Sequence, residues 1–285
     1  MKNTNPLVTI VIATYRRKFF LSKTIASVLS QTYSNLEVIV VNDDKEDSLQ
    51  ELIDSFGDFR LHLFEIDHSG RPAVPRNFGA RKASGELIAF CDDDDIWFPK
   101  KIEEQVKVFD LHPDVKLCYT DYVLMDENDK KIAHVKVESS KKITNFRRHL
   151  FKNDITFSTI MVCRRVFLDG LWFDERPILK ASEDYLFLSH LLYLYPVFFI
   201  ESSLVQYRIH LGGISYSYNN ARKIFRYYVR IVICFYDLLK NRRISFVEFI
   251  SFAKFHLVYS IKQILFPYYS KIKTILEEKC LKKEY

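Results

Sequence analysis

What most constrains this chain is a unit repeated through its first hundred residues: a short apolar run, then a segment with helical patterning. Leu7–Ala13 (LVTIVIA), Leu36–Val41 and Leu87–Cys91 are apolar without alternation, the mark of strands buried on both faces, and Arg60–Phe64 supplies one more strand. Between them, Phe20, Leu21, Ile25, Val28 and Leu29 fall at helical spacing over residues 19–30. Asp47–Phe56 and about Ala73–Ala83 read as the following helices. This alternation predicts an α/β fold with a mostly parallel mixed sheet, right-handed crossovers and helices on both faces. Ligands of such sheets collect beyond the C-terminal strand ends.

Polar residues gather at those ends. Thr14, Tyr15 and Arg16 follow the first strand, Asp43 follows the second, and Arg76 and Asn77 open a helix. The fourth strand runs straight into Asp92, Asp93, Asp94 and Asp95, and Pro99 suits the first turn of a helix. Carboxylates crowded at a strand end repel one another unless a cation or solvent relieves them. Mg²⁺ or Mn²⁺, which take oxygen ligands and share substrate phosphates, fit that need, while a solvated acidic loop is the plainer alternative. Tyr15 can stack on a flat base, Asp43 can accept the imide N–H of uracil or thymine, and Arg76 can face a diphosphate or pin an aspartate. Each also has an ordinary structural role as packing, cap or turn.

Composition closes several routes. None of the seven glycines builds GxGxxG or GxxxxGK, so neither the dinucleotide fingerprint nor the P-loop is present. Five cysteines without CxxC spacing argue against a disulfide framework and a zinc site, and point to a reduced, cytoplasmic compartment. The N-terminal apolar run is too short for a convincing signal peptide, and no stretch of about 18 apolar residues predicts a spanning helix.

The blocks IVIATYRR, SVLSQTYSNLEVIVVNDD, PRNFGARKASGELIAF and DDDDIWFPKKIEEQV, in this order, resemble the inverting family-two glycosyltransferases of GT-A fold. The resemblance covers about residues 6–215. It implies a GT-A, Rossmann-like catalytic domain over 1–217, with a nucleotide-binding half to about residue 95 and an acceptor half over 96–217. It implies uracil contacts from Tyr15 and Asp43, nucleotide-side contacts from Thr14, Arg16, Arg76, Asp92 and Asp93, and an Asp-x-Asp motif at Asp92 and Asp94, with Asp94 as principal metal ligand. Asn42 and Asp44-Lys45 depart from the family pattern, which usually has Asp and Gly-Ser there.

In the second half, Val115–Tyr119 and Phe157–Cys163 read as strands, and Glu127–Lys142 as a mobile loop. Asp121 is a sugar contact or a strand-end cap, with Asp95 and Trp97 placed on the donor or acceptor side. Ser182 suits an N-cap, with Glu183 and Asp184 in the first helical turn, where the dipole favours carboxylates. The family makes Asp184 the general base, with Glu183 orienting it or binding the acceptor, and makes His210, in QYRIH, a metal or diphosphate contact. The Gly212-Gly213 pair would let the following loop fold over the nucleotide.

Residues 218–285 change character. From Arg222 onward, 14 Lys and Arg face 5 Asp and Glu, interleaved with aromatics, while the whole chain carries only +6. Phe246, Phe249, Ile250, Ala253 and Leu257 fall on one helical face. This predicts a basic amphipathic helical tail, peripheral on the inner face of the cell membrane, or else packed on the catalytic domain or in a homo-oligomer. No nucleic-acid recognition motif accompanies it.

The expectation is a Mn²⁺- or Mg²⁺-dependent enzyme moving one sugar from a UDP-sugar to an acceptor hydroxyl. The resemblance points to a lipid-linked or oligosaccharide acceptor in polysaccharide biosynthesis, such as O-antigen, capsule or teichuronic acid. The rivals are a sugar nucleotidyltransferase, which normally brings a Gly-rich N-terminal loop absent from IVIATYRR, and a non-catalytic membrane-associated relative.

Overall fold

The computed structural model describes residues 5–135, 149, 155–180, 182–210, 232–240, 245, 247 and 250. The chain divides into two compact units, residues 1–231 and 232–285. The first holds a nine-stranded mixed sheet.

Its first part follows the repeated unit. Strands β1 (Val8–Thr14), β2 (Leu36–Asn42), β3 (Leu61–Glu65) and β4 (Leu87–Asp92) lie parallel in the order β3-β2-β1-β4. The linking helices are α1 (Lys18–Leu29), α2 (Gln50–Asp54) and α3 (Ala73–Lys82). Leu21, Ile25 and Val28 of α1 join Ile10, Ile12, Val38 and Val40 in one core, each fully buried. Burial of a side chain of this size stabilises by about 1.5–3 kcal/mol, so this layer fixes α1 firmly. Val11 and Val41 point the other way and meet α3, where Gly79 permits the approach: a Cβ there would lie 2.4 Å from Val11 Cγ1.

The second part is mixed. Beyond β4 comes β8 (Met161–Cys163), antiparallel, then β6 (Leu117–Met125), β9 (Val197–Arg208) and β5 (Ile96–Trp97). Strand β9 runs parallel to β6, and β5 antiparallel to β9. Helices α4 (Lys101–Leu111), α5 (Arg165–Leu168) and α6 (Glu183–Leu194) complete this part.

Several expectations need correction. The expected loop over 127–142 begins instead with β7 (Lys131–Val135), which forms a hairpin on β6. Asp126 Oδ1 accepts from the N–H groups of Asn128 and Lys130, and Asp129 adopts φ 66°, so a tight turn reverses the chain. The expected strand over 157–163 is a 3₁₀ turn at Phe157–Thr159 followed by the short β8. Ser182 occupies the N-cap position of α6, but its side chain makes no capping bond.

The second unit is described only in part. Residues 232–240 are helical, with Cys234, Phe235 and Leu238 buried and Val232 and Tyr236 exposed. Most of the tail, the 217/218 boundary and Gly212-Gly213 lie outside the described residues. Among the described residues, no helix is long and apolar enough to cross a membrane.

Candidate active site

A cleft of about 640 Å³ opens at the C-terminal edge of β1, β2 and β4. Thr14, Tyr15, Asp43, Arg76, Asp92, Asp93, Asp94 and His210 all line it.

At one end, Asp43 is almost wholly buried. Its Oδ1 accepts from Ser69 N–H at 2.9 Å and its Oδ2 from Gly70 N–H at 3.2 Å, with His68 Nδ1 3.1 Å from Oδ2. A carboxylate oxygen has two lone pairs, so Oδ1 retains capacity for one further donor. Tyr15 stacks on His68 with ring centroids 4.1 Å apart, so each ring covers one face of the other beside Asp43. His68, Gly70, Arg71 and Lys180 also line this part of the cleft. Lys180 is exposed, and Arg71 Nη1 donates to the Glu175 carbonyl at 2.6 Å.

At the other end, the four aspartates have different fates. Asp92 Oδ1 accepts from Arg76 Nη2 at 2.7 Å. Asp93 accepts from Thr14 Oγ1 at 2.7 Å and from Arg17 Nη1 at 3.0 Å. Asp94 Oδ2 accepts from Arg17 Nη1 at 2.8 Å and lies 3.0 Å from His210 Nε2. Asp95 is fully buried, takes Ser158 Oγ and the Arg208 N–H, and does not reach the cleft. Burial, with the charge of Asp94 beside it, pushes the Asp93 carboxyl up to about 7. Burial likewise holds Asp95 well above the usual carboxylate range, with Asp94 adding to the effect.

Arg76 joins the two halves of the domain. Buried against the Phe157 ring 4.0 Å away, it donates through Nη2 to Asp92 and through Nη1 to Glu183 Oε1 at 2.9 Å. Glu183 Oε2 accepts from Ser182 N–H, so both its oxygens are engaged. Burial raises the Glu183 carboxyl, Arg76 pulls it back, and Asp184 pushes it up again. Asp184 is half-buried next in the chain, its Oδ1 taking Tyr185 N–H at 2.7 Å, and it is not one of the residues lining the cleft.

Besides Asp95, Glu183 and Asp184, three more expected site residues do not line the cleft. Trp97 is 2% exposed in the hydrophobic core, where Lys101 Nζ sits 3.7 Å above its ring. Asp121 is buried where the β6–β9 register shifts, away from the cleft. Arg16 points outward and pairs with Asp44, while Arg17 enters the site. Arg16 adopts φ 53°, in the left-handed region, at the bend between β1 and α1. Arg17, His68, Arg71, Lys180 and Arg208 are the residues that sequence reasoning missed. The repeated arginine in TYRR hinted at the first of them, and the QYRIH segment contains the last.

Among the described residues, no three His, Cys, Asp or Glu side chains converge on a single metal position. Asp94 and His210 do converge, and one carboxylate oxygen with one imidazole nitrogen suits Mn²⁺ better than Mg²⁺. The neighbouring Asp93 and Asp92 add negative charge that a cation would relieve, and the donor set therefore fits such an ion.

The profile of "Glycosyl transferase family 2" matches residues 9–172. A relative from Escherichia coli, named as the UDP-Glc:alpha-D-GlcNAc-diphosphoundecaprenol beta-1,3-glucosyltransferase WfgD, is 34% identical over 49% of this chain and 56% of its own length. The putative teichuronic acid biosynthesis glycosyltransferase TuaG of Bacillus subtilis is 25% identical over 85% of this chain and 98% of its own. Against three uncharacterized glycosyltransferases of Rickettsia, 28–29% identical, the match spans 72% of this chain and 34%, 65% and 30% of theirs. The crystal structure of S. aureus TarS 1-349 in complex with UDP-GlcNAc shares the fold: TM-score 0.66 at 17% identity, over 81% of this chain and 66% of that one.

Proposed function

This chain belongs to glycosyl transferase family 2, and from that premise we propose that it transfers one sugar from a UDP-sugar to an acceptor hydroxyl with inversion. The observation that carries the reading is the Asp92–Arg76–Glu183 bridge, with bonds of 2.7 and 2.9 Å, which ties the aspartate cluster to the acidic start of α6. The metal-side carboxylates and a second acidic pair thereby have a fixed separation.

In this reading an outer face of the Tyr15–His68 stack takes the face of uracil, and the remaining lone pair of Asp43 Oδ1 accepts its imide N–H. The diphosphate then runs toward Asp94. Asp94 and His210, with Asp92 nearby, would hold Mn²⁺ or Mg²⁺, which when bound offsets the charge that grows on the departing diphosphate. Arg76 keeps Asp92 and Glu183 in place. Asp184 accepts the proton of the acceptor hydroxyl as its oxygen bonds to the anomeric carbon. The bond from that carbon to the diphosphate breaks on the opposite face, its electron pair leaving with UDP. Glu183, with both oxygens engaged, positions rather than abstracts. The E. coli relative named for a diphosphoundecaprenol substrate supports a lipid-linked acceptor. The basic tail supports action at the inner membrane surface, inside the cell.

The test is a panel of UDP-sugars, assayed for UDP release and acceptor glycosylation with Mn²⁺. One donor should be turned over, and Asp184→Asn should remove transfer while UDP still binds. Turnover undiminished in Asp184→Asn would overturn the assignment of the base.

A further inference from the structure

Arg17 is one of the charged groups lining the cleft that the reaction above leaves without a role, and it is the one that bonds to the aspartate cluster through its side chain. Its Nη1 donates at once to Asp93 Oδ1 at 3.0 Å and to Asp94 Oδ2 at 2.8 Å. His210 Nε2 meets the same Asp94 oxygen at 3.0 Å. The guanidinium therefore sits on the oxygen that an ion shared by Asp94 and His210 would need. Two cations so close repel strongly in a partly dehydrated cleft. Arg17 is not locked away: its side chain is 25% exposed, and it lines the cleft beside Thr14.

We propose that Arg17 is an exchangeable counter-ion. It neutralises Asp93 and Asp94 while no divalent ion is bound, and it yields the Asp94 oxygen when the ion arrives with the donor. Its charge then turns to the diphosphate. This rests on the metal reading above and adds a consequence to it. The ion alone must displace Arg17 and binds weakly, whereas the nucleotide offers Arg17 a new partner and so strengthens metal binding. The two ligands become coupled through one side chain.

Binding of Mn²⁺ to the full chain, followed by the electron paramagnetic resonance signal of the free ion with and without UDP, tests this independently of turnover. Arg17→Gln should bind Mn²⁺ alone roughly tenfold more tightly than wild type, and UDP should add less to its affinity. Arg17→Lys, which keeps the charge, should stay near wild type and guards against a folding artefact. Arg16→Gln, which loses the outward pair with Asp44 and the contact with the Tyr15 ring, should leave the affinity for Mn²⁺ alone unchanged. Equal or weaker Mn²⁺ binding by Arg17→Gln, with wild-type binding intact and lost in Asp94→Asn, would overturn the exchange and leave the metal reading standing. No Mn²⁺ binding by wild type with or without UDP would overturn both.

Discussion

The two ends of the cleft use the same residue type on opposite kinds of support. Asp43 is held by the neutral amides of Ser69 and Gly70, with His68 alongside. Asp92, Asp93 and Asp94 are held by the guanidinium groups of Arg76 and Arg17 and by His210. Neutral donors fix a carboxylate without cancelling its charge, which leaves Asp43 a rigid acceptor for one more N–H. Cationic partners cancel charge, which makes a crowded aspartate cluster tolerable and lets one cation be traded for another. The first end is built to read a shape, the second to change partners.

The largest effect that tests this difference belongs to Arg76→Ala. It strips the shared partner from Asp92 and leaves Glu183 as a buried, unpaired charge, so stability in urea should fall by about 3–5 kcal/mol, with transfer lost as well. A loss under about 1 kcal/mol would mean that the bridge is not what joins the halves. Asp94→Ala comes next: transfer should drop by about 10²–10³-fold with the fold intact, since the change removes charge stabilisation at the leaving diphosphate. Full activity in that variant, or in excess EDTA, would break the assignment of the aspartate end to metal.

Asp43→Asn is milder. The amide keeps the shape but loses the charge that receives two backbone N–H groups, so UDP affinity should fall by about tenfold by titration calorimetry. Mn²⁺ binding without nucleotide should not change. A shift in Mn²⁺ affinity would show that the two ends share charge, against the contrast drawn above.

The same contrast explains what could be read from the sequence. The parallel half was legible because each strand is a continuous apolar run and each polar site residue directly follows one: Thr14, Asp43 and Asp92 emerge where periodicity places them. The mixed half was less so. Strand β7, KIAHV, follows a charged turn that hides its alternation, and β5 is two residues long and exists only by pairing with β9. The side chains around the aspartates come from far along the chain, such as Arg208 reaching the Asp94 carbonyl at 2.7 Å, and no local spacing announces them. Arg16 and Arg17 show the limit most clearly. Adjacent and identical, they take outward and inward places at a left-handed bend that the sequence does not announce.

The smallest effect on transfer is expected one layer behind the aspartate end, at Lys101. It is fully buried, with Nζ bonded to Gln105 Oε1 at 2.7 Å and lying over the Trp97 ring, and among the described residues no carboxylate pairs with it as the arginines pair with the aspartates. Burial lowers its pKa from the ordinary 10.5 to about 7. Between those values the unfolded chain holds the proton and the folded chain has released it, so stability attributable to this group rises with pH across the window. Below the lower value both states are charged, and the cost of burying the ammonium is fully felt. Lys101→Met, similar in volume and uncharged, should therefore gain most over wild type near neutral pH, and the gain should shrink as pH approaches 10.5. Urea denaturation of both proteins across that range, compared as a difference, isolates this group from the cysteines and tyrosines that titrate in both. Parallel curves would mean that Lys101 stays charged throughout, held by the face of Trp97, so that a guanidinium or carboxylate partner is not the only way this region carries a buried charge.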